Sequence, residues 1–270
     1  MAARWQKPDA EGVLPLQVNV EDSTPVLSLA TADLHCHLLP DWDDGPRNFD
    51  ESLQLATRAV ESGIKTILVT PHVGRAFGSK TERDARQIAT ATAELEREIK
   101  ERGVAINLVP GAELILTPGL AQRVANEPWL TVGGQGRHVL VECPFNTWTE
   151  GIDRILFEMS LNGVTPIIAH PERLSDVQKD LSIIKAVAER GAMLQITARS
   201  LTGSDRRTRK CSEQLLAAGL VSLVASDAHR ENHVAINDVV SLVAAAVGEE
   251  MAHQILVENP ANILFDISTS

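Results

Sequence analysis

The stretch Asp33-Leu34-His35-Cys36-His37 sets two imidazoles two residues apart in an otherwise apolar run. Side chains alternate faces along a strand, so His35 and His37 are expected on one side of it, within reach of one cation. Seven residues on, Asp44 offers a hard oxygen donor, and Gly45 behind it is expected to let the backbone turn back toward the two histidines. A His-x-His pair is weak evidence by itself. More donors follow, however, at comparable places in the chain.

The sequence runs from apolar segments into Thr70-Pro71-His72, Pro110-Gly111-Ala112-Glu113, Val141-Glu142, Ala169-His170 and Ser226-Asp227-Ala228-His229. With Asp44 the set is His35, His37, Asp44, His72, Glu113, Glu142, His170, Asp227 and His229, which takes five of the eight histidines. Nitrogen and oxygen donors without thiolate suit manganese, iron or zinc in a reactive centre better than a structural zinc. Taken singly, each residue has a plain structural explanation, such as a carboxylate paired with an arginine. Jointly they point to a metal site.

Something must gather donors spread over two hundred positions. Five times a helix-like stretch ends at a glycine that opens a β-rich run: Gly63, Gly103, Gly163, Gly191 and Gly219. Glycine ends helices in the left-handed conformation, so each junction reads as an αβ loop. The helices between carry apolar stripes: Leu53, Ala56 and Val60 after an Asn48/Glu51 capping box, then Ile88, Leu95 and Ile99, then Ile152, Ile155, Leu156 and Met159. Seven strands are expected, near 32–37, 65–70, 104–109, 138–142, 164–169, 192–197 and 221–226. Their Val, Ile and Leu runs lack alternation, as in parallel strands covered by helices. The pattern predicts an α/β protein, a distorted (β/α)7 TIM-like barrel ahead of a doubly wound sheet, with the donors at the C-terminal ends of the strands where such barrels do chemistry. Residues 1–30 read as an N-terminal extension or arm, and 31–270 as the domain.

The 270 residues, 44% apolar and 23% charged, suffice for one large core. A net charge of −11 argues against nucleic acid or an anionic membrane as partner. Three bound divalent ions would bring that charge to about −5 and concentrate positive potential in one pocket, which suits an anionic substrate. Cys36, Cys143 and Cys211 show no paired spacing, no signal-peptide core opens the chain, and no apolar run reaches membrane-spanning length. These features read as a cytoplasmic protein without direct membrane insertion, its oligomeric state open. None of the three cysteines starts a Cys-x5-Arg loop, which disfavours a cysteine nucleophile.

His-x-His followed by Asp-Gly, Thr-Pro-His, Gly-x-Glu, Glu-x-Pro-Phe, Ala-His-Pro-Glu-Arg and Ser-Asp-x-His together resemble the polymerase-and-histidinol-phosphatase (PHP) superfamily. Within it, they are similar to the bacterial tyrosine-protein phosphatases of capsule and exopolysaccharide synthesis. Glu142, standing where most of the superfamily has histidine, points to that branch. The resemblance implies the PHP fold and three divalent ions, manganese first, with iron or zinc as alternatives. It implies one ion on His35, His37, Glu113 and Asp227, a second shared through Glu113 with Glu142 and His170, and a third on Asp44, His72 and His229. A metal-activated hydroxide would attack phosphorus. Arg173, orienting phosphate, would join Asp44 and Glu113 as the catalytic set, with Arg75, Arg199 and Arg230 as further candidates and the basic run 206–210 a solvated helix start or subunit contact. The implied substrate is a phosphotyrosine protein, the tail of a tyrosine kinase that regulates polysaccharide synthesis. Two other readings stay open: a PHP phosphoesterase acting on histidinol phosphate or a phosphodiester, and a metal-binding regulatory module without turnover.

Overall fold

Apolar runs that begin beyond a helix-ending glycine and stop at a histidine or carboxylate become parallel strands, seen in a computed structural model that describes residues 29–74, 86–233 and 235–265. The strands are β1 (Ala32–Cys36), β2 (Thr66–Val69), β3 (His72–Val73), β4 (Asn107–Pro110), β5 (Glu113–Ile115), β6 (His138–Glu142), β7 (Thr165–Ala169), β8 (Met193–Thr197) and β9 (Leu223–Ala225). They form two ladders, β1-β2-β4 and β3-β5-β6-β7-β8-β9, parallel at each pairing. Between them lie α1 (Phe49–Glu61), α2 (Arg86–Glu101), α3 (Leu120–Asn126), α4 (Ile152–Leu161), α5 (Ser182–Ala188), α6 (Ala198–Thr202) and α7 (Arg206–Ala217). α8 (Val240–Val247), α9 (Glu249–His253) and α10 (Asn259–Phe265) follow β9. The expected arm and its alternating leucines and valines lie outside the described residues, apart from Leu29 and Ala30.

The five junction glycines all take positive φ, from 65° at Gly219 to 102° at Gly63. The seven expected strand positions are all present, though the third begins at Asn107 instead of 104. Two of these positions are each split into a pair of strands, which the apolar pattern does not reveal. Pro71 and Pro110 lack an N–H for the ladder, so β2 gives way to β3 and β4 to β5. A Cβ on Gly111 would lie 2.9 Å from Leu68 Cδ1, so a larger residue here would push the Leu68 side chain aside. Bonds from Gly111 N to Val69 O (3.0 Å) and from Glu113 N to Pro71 O (3.1 Å) carry the pairing across the break. β3 then pairs with β5 in a register that sets His72 opposite Glu113.

β1 carries one extra residue between Asp33 and Cys36 relative to β2. Such a bulge re-aims the side chains beyond it. Below it, Ala32 and Leu34 pack with Leu68, Leu140, Ile167 and Ala169 and with Ile263 and Leu264 of α10. Above it Cys36 joins the core beneath the helices, with Ile67, Val69, Val141, Ile168 and the stripes of α2 and α4. The expected α1 stripe shifts: Leu55 and Ala56 are buried, whereas Leu53 and Val60 are half-buried. Asn48 Oδ1 accepts from Glu51 N at 3.0 Å, but the Glu51 carboxylate turns to Arg47 in place of the reciprocal cap.

β9 returns beside β1, where Asp227 N donates to His35 O at 2.8 Å and His37 N donates to Ala228 O at 3.0 Å. The buried carboxylate of Asp33 reinforces this seam, accepting from His35 N at 3.2 Å and Ser226 N at 3.1 Å. Seven βα positions thus surround one mouth as a distorted α/β barrel. Asp33→Ala removes the acceptor of two buried N–H groups and is expected to cost about 1–3 kcal/mol in a urea unfolding titration, with Asp33→Asn milder.

Candidate metal centre

His35, inside the β1 bulge, and His37, just beyond it, bring their Nε2 atoms within 3.2 Å of each other. Glu113, the first residue of β5, sends Oε2 to 3.2 Å from each of these nitrogens and 3.3 Å from His72 Nδ1. Its Oε1 lies 3.0 Å from His170 Nε2. Asp227 Oδ1 stands 3.3 Å from His35 Nε2 and 3.8 Å from His229 Nδ1. Asp44 Oδ1 closes the rim, 3.2 Å from His229 Nε2 and 3.7 Å from His72 Nε2. Glu142 Oε1 faces His72 Nδ1 at 3.2 Å. All nine residues therefore meet in one contiguous cluster.

Among the described residues, donor atoms gather into three overlapping groups that could each hold an ion: His35, His37 and Glu113; His72, Glu113 and Glu142; and His37, Asp44, His72 and His229. The grouping differs from that implied by the resemblance: His37 also falls with Asp44, His72 and His229, and Asp227 and His170 fall outside the three groups. Glu142 stands against His72, and His170 joins through Glu113. Buried Glu142 Oε1 and His170 Nδ1 have no hydrogen-bond partner. Carboxylates and imidazoles this close need either protons or cations between them, and divalent cations with nitrogen and oxygen ligands satisfy such a set.

A second layer of side chains aims the first. Asp43 Oδ2 lies 2.7 Å from His37 Nδ1 and accepts from His72 N at 2.9 Å, while its Oδ1 accepts from Gly45 N at 2.9 Å. Gln195 Oε1 lies 2.8 Å from His35 Nδ1. Such contacts set ring orientation and tautomer, leaving Nε2 toward the centre. Neither residue was anticipated. Asp43 hides beside Asp44, and Gln195 lies between Leu194 and Ile196 in β8, the strand that brings no donor of its own. His233, outside the expected set, accepts from His229 N at 3.1 Å.

Gly45 lies in the expected turn, which Asp41 N closes onto Pro46 O at 2.8 Å, and it is needed there for a further reason. Its φ is not positive, but a Cβ there would lie 2.7 Å from His37 O and 2.9 Å from Asp43 Oδ1.

Arg173, on the turn after His170, donates to Asp227 Oδ2 at 2.6 Å. Its neighbour Glu172 is occupied elsewhere, accepting from Thr197 N (2.9 Å) and Ser200 Oγ (2.6 Å). Arg173 also lines a cavity of about 830 Å³ together with Asn146, Arg199, Arg207 and Asp227. The basic run thus opens α7 as expected but turns Arg207 toward this cavity. Arg230 instead donates to Asp44 O at 2.9 Å and braces the rim. Arg75 lies outside the described residues.

Burial alone would depress His35, yet the carboxylates of Glu113 and Asp227 raise it to about 9. Burial opposes, and Asp43 and Glu113 outweigh it, for His37, which also rises. Against the burial that would raise them, Glu113 and Asp227 are both lowered, chiefly by His35. Burial pushes the thiols the other way, Cys143 to about 12, the opposite of what a cysteine nucleophile needs.

A parallel α/β barrel whose C-terminal mouth holds a histidine and carboxylate cluster defines a metallohydrolase of the PHP type. Residues 31–265 match the family described as capsular polysaccharide synthesis, CpsB/CapC, and the chain belongs to that family. It is 31% identical to the tyrosine-protein phosphatase YwqE of Bacillus subtilis over 198 residues, 73% of this chain and 76% of that one. With the tyrosine-protein phosphatase CpsB of Streptococcus agalactiae it shares 25% identity over 240 residues, 86% and 97% of the two chains. A solved structure from work on Bacillus subtilis YwqE and Streptococcus pneumoniae CpsB, described as metal-dependent tyrosine phosphatases, superposes with a TM-score of 0.79 at 28% identity, covering 86% of this chain and 94% of that one.

Two outcomes follow from this geometry. Without metal His35 keeps its proton up to about pH 9, so a cation must displace it at neutral pH. Calorimetric affinity for a divalent ion is expected to rise at least about tenfold per pH unit between pH 7 and 9, with net proton release. Gly45→Ala is expected to push Asp43 off His37 and weaken metal binding about 10–100-fold, read by metal content after dialysis.

Proposed function

We propose that this chain is a metal-dependent protein-tyrosine phosphatase of capsule or exopolysaccharide synthesis. The observation that carries the reading is the convergence of nine donors from six barrel positions on one mouth, joined to membership of a family whose named relatives are tyrosine-protein phosphatases. Three divalent ions would be held by His35, His37, Glu113 and Asp227; by Glu113, Glu142 and His170; and by Asp44, His72 and His229, with the His72 ring lying between the last two sets. Manganese is the first candidate, with iron or zinc next. Ions bound there would supply Lewis acidity, attracting a phosphate dianion and acidifying water near neutral pH.

The residues themselves divide the remaining work. Arg173, anchored by Asp227 and open to the cavity, presents its remaining N–H groups to phosphoryl oxygens. Arg199 and Arg207 add positive charge along the path that a peptide carrying phosphotyrosine would take. Asp43 and Gln195 hold His37 and His35 in place through the cycle. The substrate is read as the phosphorylated tail of a tyrosine kinase. A cytoplasmic setting fits the three unpaired, buried cysteines and the lack, among the described residues, of a helix long and apolar enough to cross a membrane.

The discriminating experiment sets a phosphotyrosine peptide beside histidinol phosphate and single-stranded DNA, with chelated and manganese-restored protein. Phosphotyrosine should turn over fastest, fail in chelator and recover with manganese. Faster turnover of either competitor, or activity that persists in chelator, overturns the proposal. Glu113→Gln should lower kcat/KM by about a hundredfold or more, because one carboxylate serves several ions. Arg173→Lys should raise KM by about tenfold, because a point charge replaces the planar fork.

A further inference from the structure

All five non-glycine residues with positive φ among the described residues belong to loops of the barrel mouth: Asp41, Phe145, Asn146, His170 and Asp227. Three have evident reasons. His170 and Asp227 are members of the donor cluster, and Asp41 sits in the loop that carries Asp43 and Asp44. Phe145 and Asn146 are not donors, yet they adopt φ of 56° and 52°. A bulky side chain in that region is strained, and strain of this kind persists where the surroundings enforce it at functional sites.

The surroundings do enforce it. The turn follows β6, whose last residue is Glu142, and is pinned to the segment after Arg173. Ser175 N donates to Asn146 O at 3.0 Å, and Trp148 N donates to Asp176 Oδ2 at 3.0 Å. Thr147 N closes the turn onto Pro144 O at 3.1 Å. The result is that Phe145 is 81% exposed, while Asn146 beside it lines the cavity with Arg173 and Asp227. Phe145 is the most exposed large apolar side chain described, its backbone fixed by the pinned turn three residues from Glu142.

We propose that Phe145 is the platform on which the aromatic ring of the substrate's phosphotyrosine packs, a specificity-determining residue that favours aryl over alkyl phosphates. This rests on the phosphatase reading above. In a tyrosine phosphate the ring begins one bond beyond the ester oxygen, so a phosphoryl group seated at the mouth places the ring at its rim. Aromatic rings stack offset or edge-on and exclude water from both faces, whereas the stem of a serine phosphate offers no such face. Because the backbone of the turn is already fixed, only the Phe145 side chain has to be ordered on binding.

The test uses the full-length, manganese-loaded protein with phenylphosphonate and methylphosphonate, which bind but are not hydrolysed. Wild type should bind the phenyl compound more tightly. Phe145→Ala should weaken it about 5–20-fold and leave methylphosphonate within about twofold, and Phe145→Tyr should restore wild-type behaviour. For a phosphotyrosine peptide, KM should rise by the same factor with kcat nearly unchanged. Since Phe145 is exposed, the melting temperature should not move. Equal weakening of both phosphonates, an unchanged phenyl-to-methyl ratio in Phe145→Ala, or no aryl preference in wild type would overturn the platform. Phe145-dependent phenyl binding in a protein that cleaves no phosphotyrosine would support the platform and overturn the phosphatase assignment instead.

Discussion

The buried carboxylate of Glu113 touches four imidazoles, those of His35, His37, His72 and His170. No other carboxylate in the centre meets four imidazoles, and the barrel is distorted around the need to bring it there. β4 breaks at Pro110-Gly111 so that β5 can start on Glu113, and β2 breaks at Thr70-Pro71 so that His72 comes into register opposite. An unbroken strand would have continued the ladder through both places. The scaffold gives up regular hydrogen bonding at two of seven positions and gains a carboxylate shared among neighbouring ligand groups.

The charge balance has the same root. Carboxylates and imidazoles at these distances hold protons jointly, histidines gaining them and acids losing them. Cations and protons compete for one set of atoms. A protein of net charge −11 can in this way build a pocket that attracts anions, because the acidic residues that would repel a phosphate are those that gather the positive charge.

Much of this was legible in the sequence. The junction glycines mark αβ loops because a left-handed helix end leaves a distinct residue type behind. Most of the nine donors stand out because they end or closely follow an apolar run, and Asp44 because a glycine follows it. What stayed hidden was what depends on closeness between distant parts of the chain. The bulge in β1 leaves no compositional trace, so two-residue spacing correctly pairs His35 with His37 but does not show that the strand below them faces otherwise. Gly45 lies in the turn expected of it, but its second role, making room for His37 O and Asp43, shows only in the folded chain. Asp43 and Gln195 act through ring nitrogens that only the folded chain brings to them, and the capping pattern at α1 suggested a reciprocal bond that Arg47 takes instead.

The seam between β1 and β9 joins backbone separated by nearly the whole domain, with Asp227 N on His35 O and His37 N on Ala228 O. The first histidines to leave the ribosome thus wait for the last strand before their aspartate arrives. Loop closure over such a span is slow and comes late in folding. Ion capture at full strength is therefore an end-of-assembly event, and a nascent or half-finished chain would display only fragments of a chelating surface. Completion of the polypeptide and acquisition of its reactive cations are coupled by topology, without any dedicated timing device.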